Sequence, residues 1–105
     1  MELKVIWSNF AETQLDQIFE YYREKASLNI ANKLVREIIL ESEHLENSPF
    51  IGQKEIRLQN RKIDYRYLVY KNYKLIYSVN EKKGFIRIAD VFDTRQYPAK
   101  ISRKK

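Results

Sequence analysis

The stretch that most restricts this chain is its last third, residues 65–98, YRYLVYKNYKLIYSVNEKKGFIRIADVFDTRQYP. Three runs, 65–70, 73–79 and 85–92, are rich in Tyr, Ile, Val and Phe, which suit a pleated, half-buried surface. The gaps between them are short. Lys71-Asn72 is a two-residue connection, and Asn tolerates the positive φ that tight hairpins demand. Glu81-Lys82-Lys83-Gly84 is a four-residue connection carrying Gly. The pattern predicts an antiparallel three-strand meander with a polar exit, Asp93-Thr94-Arg95-Gln96-Tyr97-Pro98.

What precedes the meander reads as its scaffold. Residues 2–7 form a short first strand, with Leu3, Val5 and Trp7 turned one way. Ser8 or Asn9 caps the helix that follows, predicted over 9–25, with Ala11, Leu15, Ile18, Phe19 and Tyr22 on one face. A second helix, with Ser27 as its cap, carries Ala31, Leu34, Val35, Ile38, Ser42 and Leu45 on one face and runs to about Glu46. Asn47-Ser48-Pro49 stops it. Residues 54–58 alternate and suggest a further strand, and Asn60-Arg61-Lys62 turns the chain into the meander. Two amphipathic helices joined by a brief link form an antiparallel hairpin whose seam must be buried, and the sheet is the available partner. The expected class is α+β, an N-terminal strand and a two-helix hairpin packed on a C-terminal antiparallel meander. Residues 1–98 read as one domain and 99–105 as a basic, frayed tail.

Charge divides along the same line. Residues 1–52 hold five Lys/Arg against nine Asp/Glu, a net of −4. Residues 53–105 hold 15 against 5, a net of +10, which together give the chain's +6. A basic sheet half beside an acidic helical half is an electrostatic footprint for a polyanion or an acidic partner. There is no Cys, which excludes a disulfide framework and a Cys-ligated zinc site. No metal or other cofactor is expected. The lone His44 sits late in the second helix and reads as a dipole partner. The start of the chain carries no signal-peptide pattern and no apolar run spans a membrane, so a cytoplasmic setting with no membrane partner is expected.

Order and residues together resemble the RelE/ParE superfamily of toxins from type II toxin–antitoxin modules. The resemblance is carried by Trp7-Ser8 and Ala11, by Leu15-x-x-Ile18-x-x-Tyr21-Tyr22, by Ala31, by Leu45 with Pro49-x-x-Gly52, and by Asp64-Tyr65-Arg66-x-Leu68-Val69. Tyr73-Lys74-x-Ile76-Tyr77 and Val91-Phe92-Asp93-Thr94-Arg95-Gln96-x-Pro98 complete it. It covers nearly the whole chain. RelE-like members are ribosome-dependent ribonucleases acting on messenger RNA, and ParE-like members poison DNA gyrase. Both are neutralised by a cognate antitoxin from an adjacent gene. The two-helix N-terminal half, the Pro-x-x-Gly step and the Asp-Thr-Arg-Gln exit are more ParE-like, in which case the chain is no enzyme in its own right.

The RelE-like reading implies a catalytic set of Arg95, Lys74 and Tyr97. RNA cleavage needs a group to take the 2′-hydroxyl proton, one to protonate the leaving oxygen, and cations for the phosphorane. This set fits imperfectly, because Lys74 lacks the planar two-point contact of Arg and Asp90 and Asp93 bring the wrong sign. For nucleic acid or another target, the basic candidates are Lys54, Arg57, Arg61, Lys62, Arg66 and Arg87. Plainer roles stand beside these: Arg66 pairing with Asp64 or Asp90, Arg95 pairing with Asp93, Lys74 solvated on an outward strand position, and most tyrosines serving as amphipathic sheet filler. A non-toxic binding module also remains open. Lys83-Gly84-Phe85-Ile86-Arg87-Ile88 echoes an RNA-recognition motif, but two helices before a meander are not that module's order.

Overall fold

In a computed structural model, which describes residues 3–103 and 105, the chain runs β1 (Lys4–Trp7), α1 (Asn9–Lys25), α2 (Leu28–Glu43), β2 (Gln53–Lys54), β3 (Arg66–Tyr70), β4 (Tyr73–Asn80) and β5 (Phe85–Asp93). Short 3-10 turns follow at His44–Glu46, Ile56–Leu58 and Pro98–Ser102. Glu2 and Lys104, assigned above to the first strand and the tail, lie outside the described residues.

The expected α+β architecture is present, with two helices against one face of a five-stranded sheet of order β1-β5-β4-β3-β2. β3, β4 and β5 form the meander, and β1 adds to β5 in parallel, so the sheet is mixed. Ser8 is the cap of α1: its Oγ accepts from the Ala11 N–H at 3.0 Å. Ser27 caps α2 in the same way through the Ile30 N–H. Both satisfy helix-end donors that would otherwise be orphaned.

The helix faces bury Ala11, Leu15, Ala31, Leu34 and Ile38 against Tyr73, Leu75, Tyr77, Ile86, Ile88 and Val91. Each large aliphatic side chain among them contributes about 1.5–3 kcal/mol. The alternation along β5 slips once. Ile76 is opposite Asp90 but Tyr77 is opposite Ile88, so Ala89 is an extra residue, a β-bulge. Ile86 and Ile88 therefore face the helices, and so do the odd-numbered residues beyond the bulge. The opposite face has its own core of Leu58, Tyr65, Ile76, Ala89, Phe92 and Ile101.

Three local expectations are corrected. The residue at positive φ in the β3–β4 turn is Lys71, at 53°, and not Asn72. Only Gln53 and Lys54 pair with β3, and the alternation beyond them belongs to a 3-10 turn that inserts Leu58 beneath the sheet. The tail is docked rather than frayed over its described residues. Ile101 is buried, Arg103 donates to Asp90 at 2.7 and 3.1 Å, and Lys105 donates to it at 2.7 Å. Asp90 is fully buried, which explains the docking: a desolvated carboxylate must find cations, and these two supply them. Burial also pulls the Lys105 ammonium below its usual pKa, against the opposing pull of Asp90.

Gly52 lies where only a residue without Cβ fits. A Cβ there would stand 2.5 Å from the Tyr77 hydroxyl and 2.7 Å from the Tyr67 carbonyl oxygen. The Gly52 N–H donates to that hydroxyl at 2.9 Å, and Arg66 donates to the Gly52 carbonyl at 2.8 Å. Gly52→Ala is expected to cost about 2–3 kcal/mol in urea unfolding, and Tyr77→Phe about 1–2 kcal/mol, because the first overpacks and the second only orphans a donor. Replacing both Arg103 and Lys105 by Ala leaves Asp90 buried without a cation, and the same measurement should show a loss of about 3–5 kcal/mol.

Candidate functional site

The polar exit of β5 is fastened on three sides. Asp93 lies past the bulge, on the helix face, opposite Tyr73 of β4. Its Oδ1 accepts from the Arg95 backbone N–H at 2.9 Å, a local turn that Asp favours, and from Asn72 Nδ2 at 3.2 Å. The Thr94 N–H and hydroxyl both donate to the Asn72 carbonyl, at 2.8 and 2.9 Å. Asn72 is thus the anchor that ties the exit to the β3–β4 turn. Sequence reading assigned it only a turn role, since nothing in its spacing announces a partner 21 residues on.

Arg95 is held in turn by Asp93, with Nε at 3.0 Å from Oδ1 and Nη2 at 2.8 Å from Oδ2. This planar, two-point fit is one Lys cannot make. The side chain of Arg95 is nonetheless 61% exposed. The pair is a clamp: it fixes the direction of the guanidinium while the side chain stays more than half exposed. The Arg95 bonds hold the Asp93 carboxyl below its ordinary pKa, and Asp93 raises the Arg95 guanidinium further.

Arg95 borders a cleft of about 320 Å³ between α1 and the end of β5. Gln14, Gln17, Tyr21 and Tyr22 form its helix wall, and Tyr73, Val91 and Gln96 its sheet side. Tyr21 and Tyr22 meet edge to face with centroids 5.1 Å apart. Burial, then the neighbouring Tyr22 hydroxyl, push the Tyr73 phenol well above its ordinary pKa, so it stays protonated at any physiological pH. The cleft offers amide and phenol groups on an apolar floor beside one oriented cation. That is the composition of a recognition surface.

The three residues named for RNA cleavage do not assemble there. Lys74 points to the opposite face of the sheet with Ile76. Its Nζ is 2.9 Å from the buried Glu55 and 4.2 Å from the centre of the Tyr67 ring. It is neither a free cation nor the solvated outward residue of the plainer reading. Tyr97 is 72% exposed, beyond the turn.

The basic candidates divide as well. Arg66 does not pair with Asp64 or Asp90; it holds the carbonyls of Gly52 and Phe50 and stacks on the Phe50 ring at 5.2 Å. Arg61 donates to the Ser102 and Arg103 carbonyls and so fastens the tail. Lys54, Arg57 and Lys62 are exposed, and Arg87 is half-buried. Arg57 stands on a 3-10 turn rather than a strand. No helix among the described residues is long and apolar enough to cross a membrane.

Comparison with known proteins agrees with this architecture. A family model described as "ParE toxin of type II toxin-antitoxin system, parDE" matches residues 5–98. Among solved structures, a chain of the "Chromosomal ParDE TA system from P. aeruginosa" superposes with a TM-score of 0.72 at 19% identity, over 88% of this chain and 96% of that one. At that identity the likeness is one of fold. No curated protein matches.

The clamp has a pH signature. A carboxylate whose folded pKa is depressed contributes stability above its unfolded pKa, about 4, and loses it as pH falls through the lower folded value. The melting-temperature gap between the parent and Asp93→Asn should therefore be full at neutral pH and close progressively below about pH 4. In Arg95→Ala, the Asp93 carboxyl followed by NMR should titrate nearer the ordinary range.

Proposed function

Since the chain belongs to the ParE toxin family of type II toxin–antitoxin systems, we propose that it inhibits growth by acting on DNA gyrase and is neutralised by a cognate antitoxin from an adjacent gene. The observation that carries this reading over the ribonuclease is the separation of Arg95 from Lys74. Arg95 borders the cleft on the helix face, while Lys74 lies across the sheet, bound to Glu55. General acid–base cleavage needs its groups within hydrogen-bond reach of one phosphate. Groups on opposite faces of a sheet do not meet that requirement.

The same geometry suits protein recognition. Arg and Tyr dominate the residues that carry binding energy at interfaces, and a side chain fixed before binding loses little entropy on binding. Arg95 is fixed by Asp93, the exit turn by Asn72, and the Tyr pair by α1. Inhibition then follows from occupying a site on a larger machine, with no covalent step by this chain.

Inducible expression without the antitoxin tests the reading. Growth arrest is expected, with cleaved gyrase–DNA complexes accumulating and translated messages left whole. Arg95→Ala should weaken gyrase binding by about 2 kcal/mol, roughly 30-fold, and Arg95→Lys should recover little of it. Message cleavage that disappears in Arg95→Ala would restore the ribonuclease reading, and normal growth would remove both.

A further inference from the structure

The sheet face turned away from the helices carries an unspent positive charge. Its two buried carboxylates are already served. Glu55 takes Lys74, and Asp90 takes Arg103 and Lys105. The 3-10 turn of Ile56–Leu58 and that of Pro98–Ser102 pack together over this face through Leu58 and Ile101, and Arg61 binds one segment to the other. Arg57 and Lys100 stand on these two turns, and Lys62 follows Arg61 in the loop that leads from the first turn to β3. All three are exposed, and none makes an ion pair among the described residues. Arg87 lies further along the same face, on β5, opposite Ser78. Between the first turn and β3 the one exposed carboxylate is Asp64. On the other side, α1 presents the exposed acids Glu12, Asp16, Glu20 and Glu24. The exposed charge is therefore divided, acidic on α1 and basic on the two 3-10 segments that pack on the far face.

We infer that this far face binds the phosphate backbone of duplex DNA through Arg57, Lys62 and Lys100. Free cations on a rigid surface release condensed counterions when they meet phosphates, which gives sequence-independent affinity. Duplex is favoured over single strands because single-strand sites depend on stacked aromatic rings. Here Tyr65 is buried and the ring of Tyr67 is covered by the Lys74 ammonium. Tyr97 alone cannot form a track. The acidic helices repel DNA from the other side and so orient the approach. The inference is independent of the gyrase reading, because naked DNA is the ligand.

Fluorescence anisotropy with a labelled duplex of mixed sequence tests it, across a series of salt concentrations and with the full chain. Binding is expected to weaken as salt rises. In the Arg57→Ala/Lys62→Ala/Lys100→Ala variant, the slope of log affinity against log salt should fall by between about two and three, at roughly 0.9 per phosphate contact. The charge-conserving Arg57→Lys/Lys62→Arg/Lys100→Arg variant should keep the parent slope, as should Lys25→Ala/Lys33→Ala on the helices. Circular dichroism melts verify that each variant folds. A parent without salt-dependent binding, or a triple-alanine slope equal to the parent's, overturns the inference. So does tighter binding to an acidic peptide than to DNA, which would instead enlist the exposed Ile56 and Ile63 beside these cations. Assaying the triple-alanine variant for gyrase–DNA cleavage separately keeps failure here distinct from failure of the toxin reading.

Discussion

The extra residue in β5 decides what each face of this protein can do. A strand alternates its side chains, so one inserted residue exchanges the faces for everything beyond it. Before Ala89 the even residues Ile86 and Ile88 meet the helices; after it the odd residues Val91 and Asp93 do. With an unbroken alternation, Asp90 and Phe92 would face the helices, and Asp93 would turn away from the α1 cleft. The bulge is also where α1 is attached. The Ser8 N–H donates to the Ile88 carbonyl at 2.9 Å, and the Ser8 hydroxyl donates to the Ala89 carbonyl at 3.2 Å. The same oxygen that caps the helix thus holds the strand's irregularity, which fixes the angle between helix and sheet.

Charge in the basic half is spent unevenly. Glu55, Asp90 and Asp93 each take cations from their own half of the chain, and for Glu55 and Asp90 the pairing is in a largely desolvated place. Buried pairs of this kind contribute little net stability against apolar replacements, since desolvation offsets attraction. What they give is position. Glu55 holds Lys74 over Tyr67, Asp90 draws the tail across the sheet, and Asp93 aims Arg95. The cations left over, Arg57, Lys62 and Lys100 among them, are exposed, and the buried carboxylates Glu55 and Asp90 are already taken by Lys74, Arg103 and Lys105.

The meander, both helices and both caps were legible because each has a strong local cause: period-two runs, a stripe at three and four, a Ser before a helix. What was not legible has non-local causes. Residues 54–58 alternate like a strand, but Leu58 is claimed by the core under the sheet, and the backbone tightens into a 3-10 turn to deliver it. Lys71 takes the positive φ although Asn72 is better suited to it, because Asn72 is needed where it stands, accepting from Thr94 and donating to Asp93. A basic tail at the end of a chain reads as frayed; only a buried Asp90 makes it dock, and burial of one Asp cannot be read from its neighbours. Of the site, the Asp93–Arg95 pair was open to view at a spacing of two. The division of Arg95 from Lys74 was hidden by the bulge.

That division also bears on what kind of work Arg95 can do. A guanidinium bound at two points by a carboxylate is close to neutral as a pair, so its pull on a phosphorane is much reduced. As a directional donor it keeps the remaining N–H groups of the planar fork, whose orientation is fixed once two are engaged. The pair thus suits recognition of a partner's neutral carbonyl better than stabilisation of a charged transition state. Exposure agrees with this, since electrostatic catalysis relies on a water-excluded site, and here the side chain is more than half exposed. Transition-state charge placed at this exit would be screened by solvent and opposed by Asp93. A bound protein surface would exclude that solvent itself, strengthening the contacts of Arg95 as it docks.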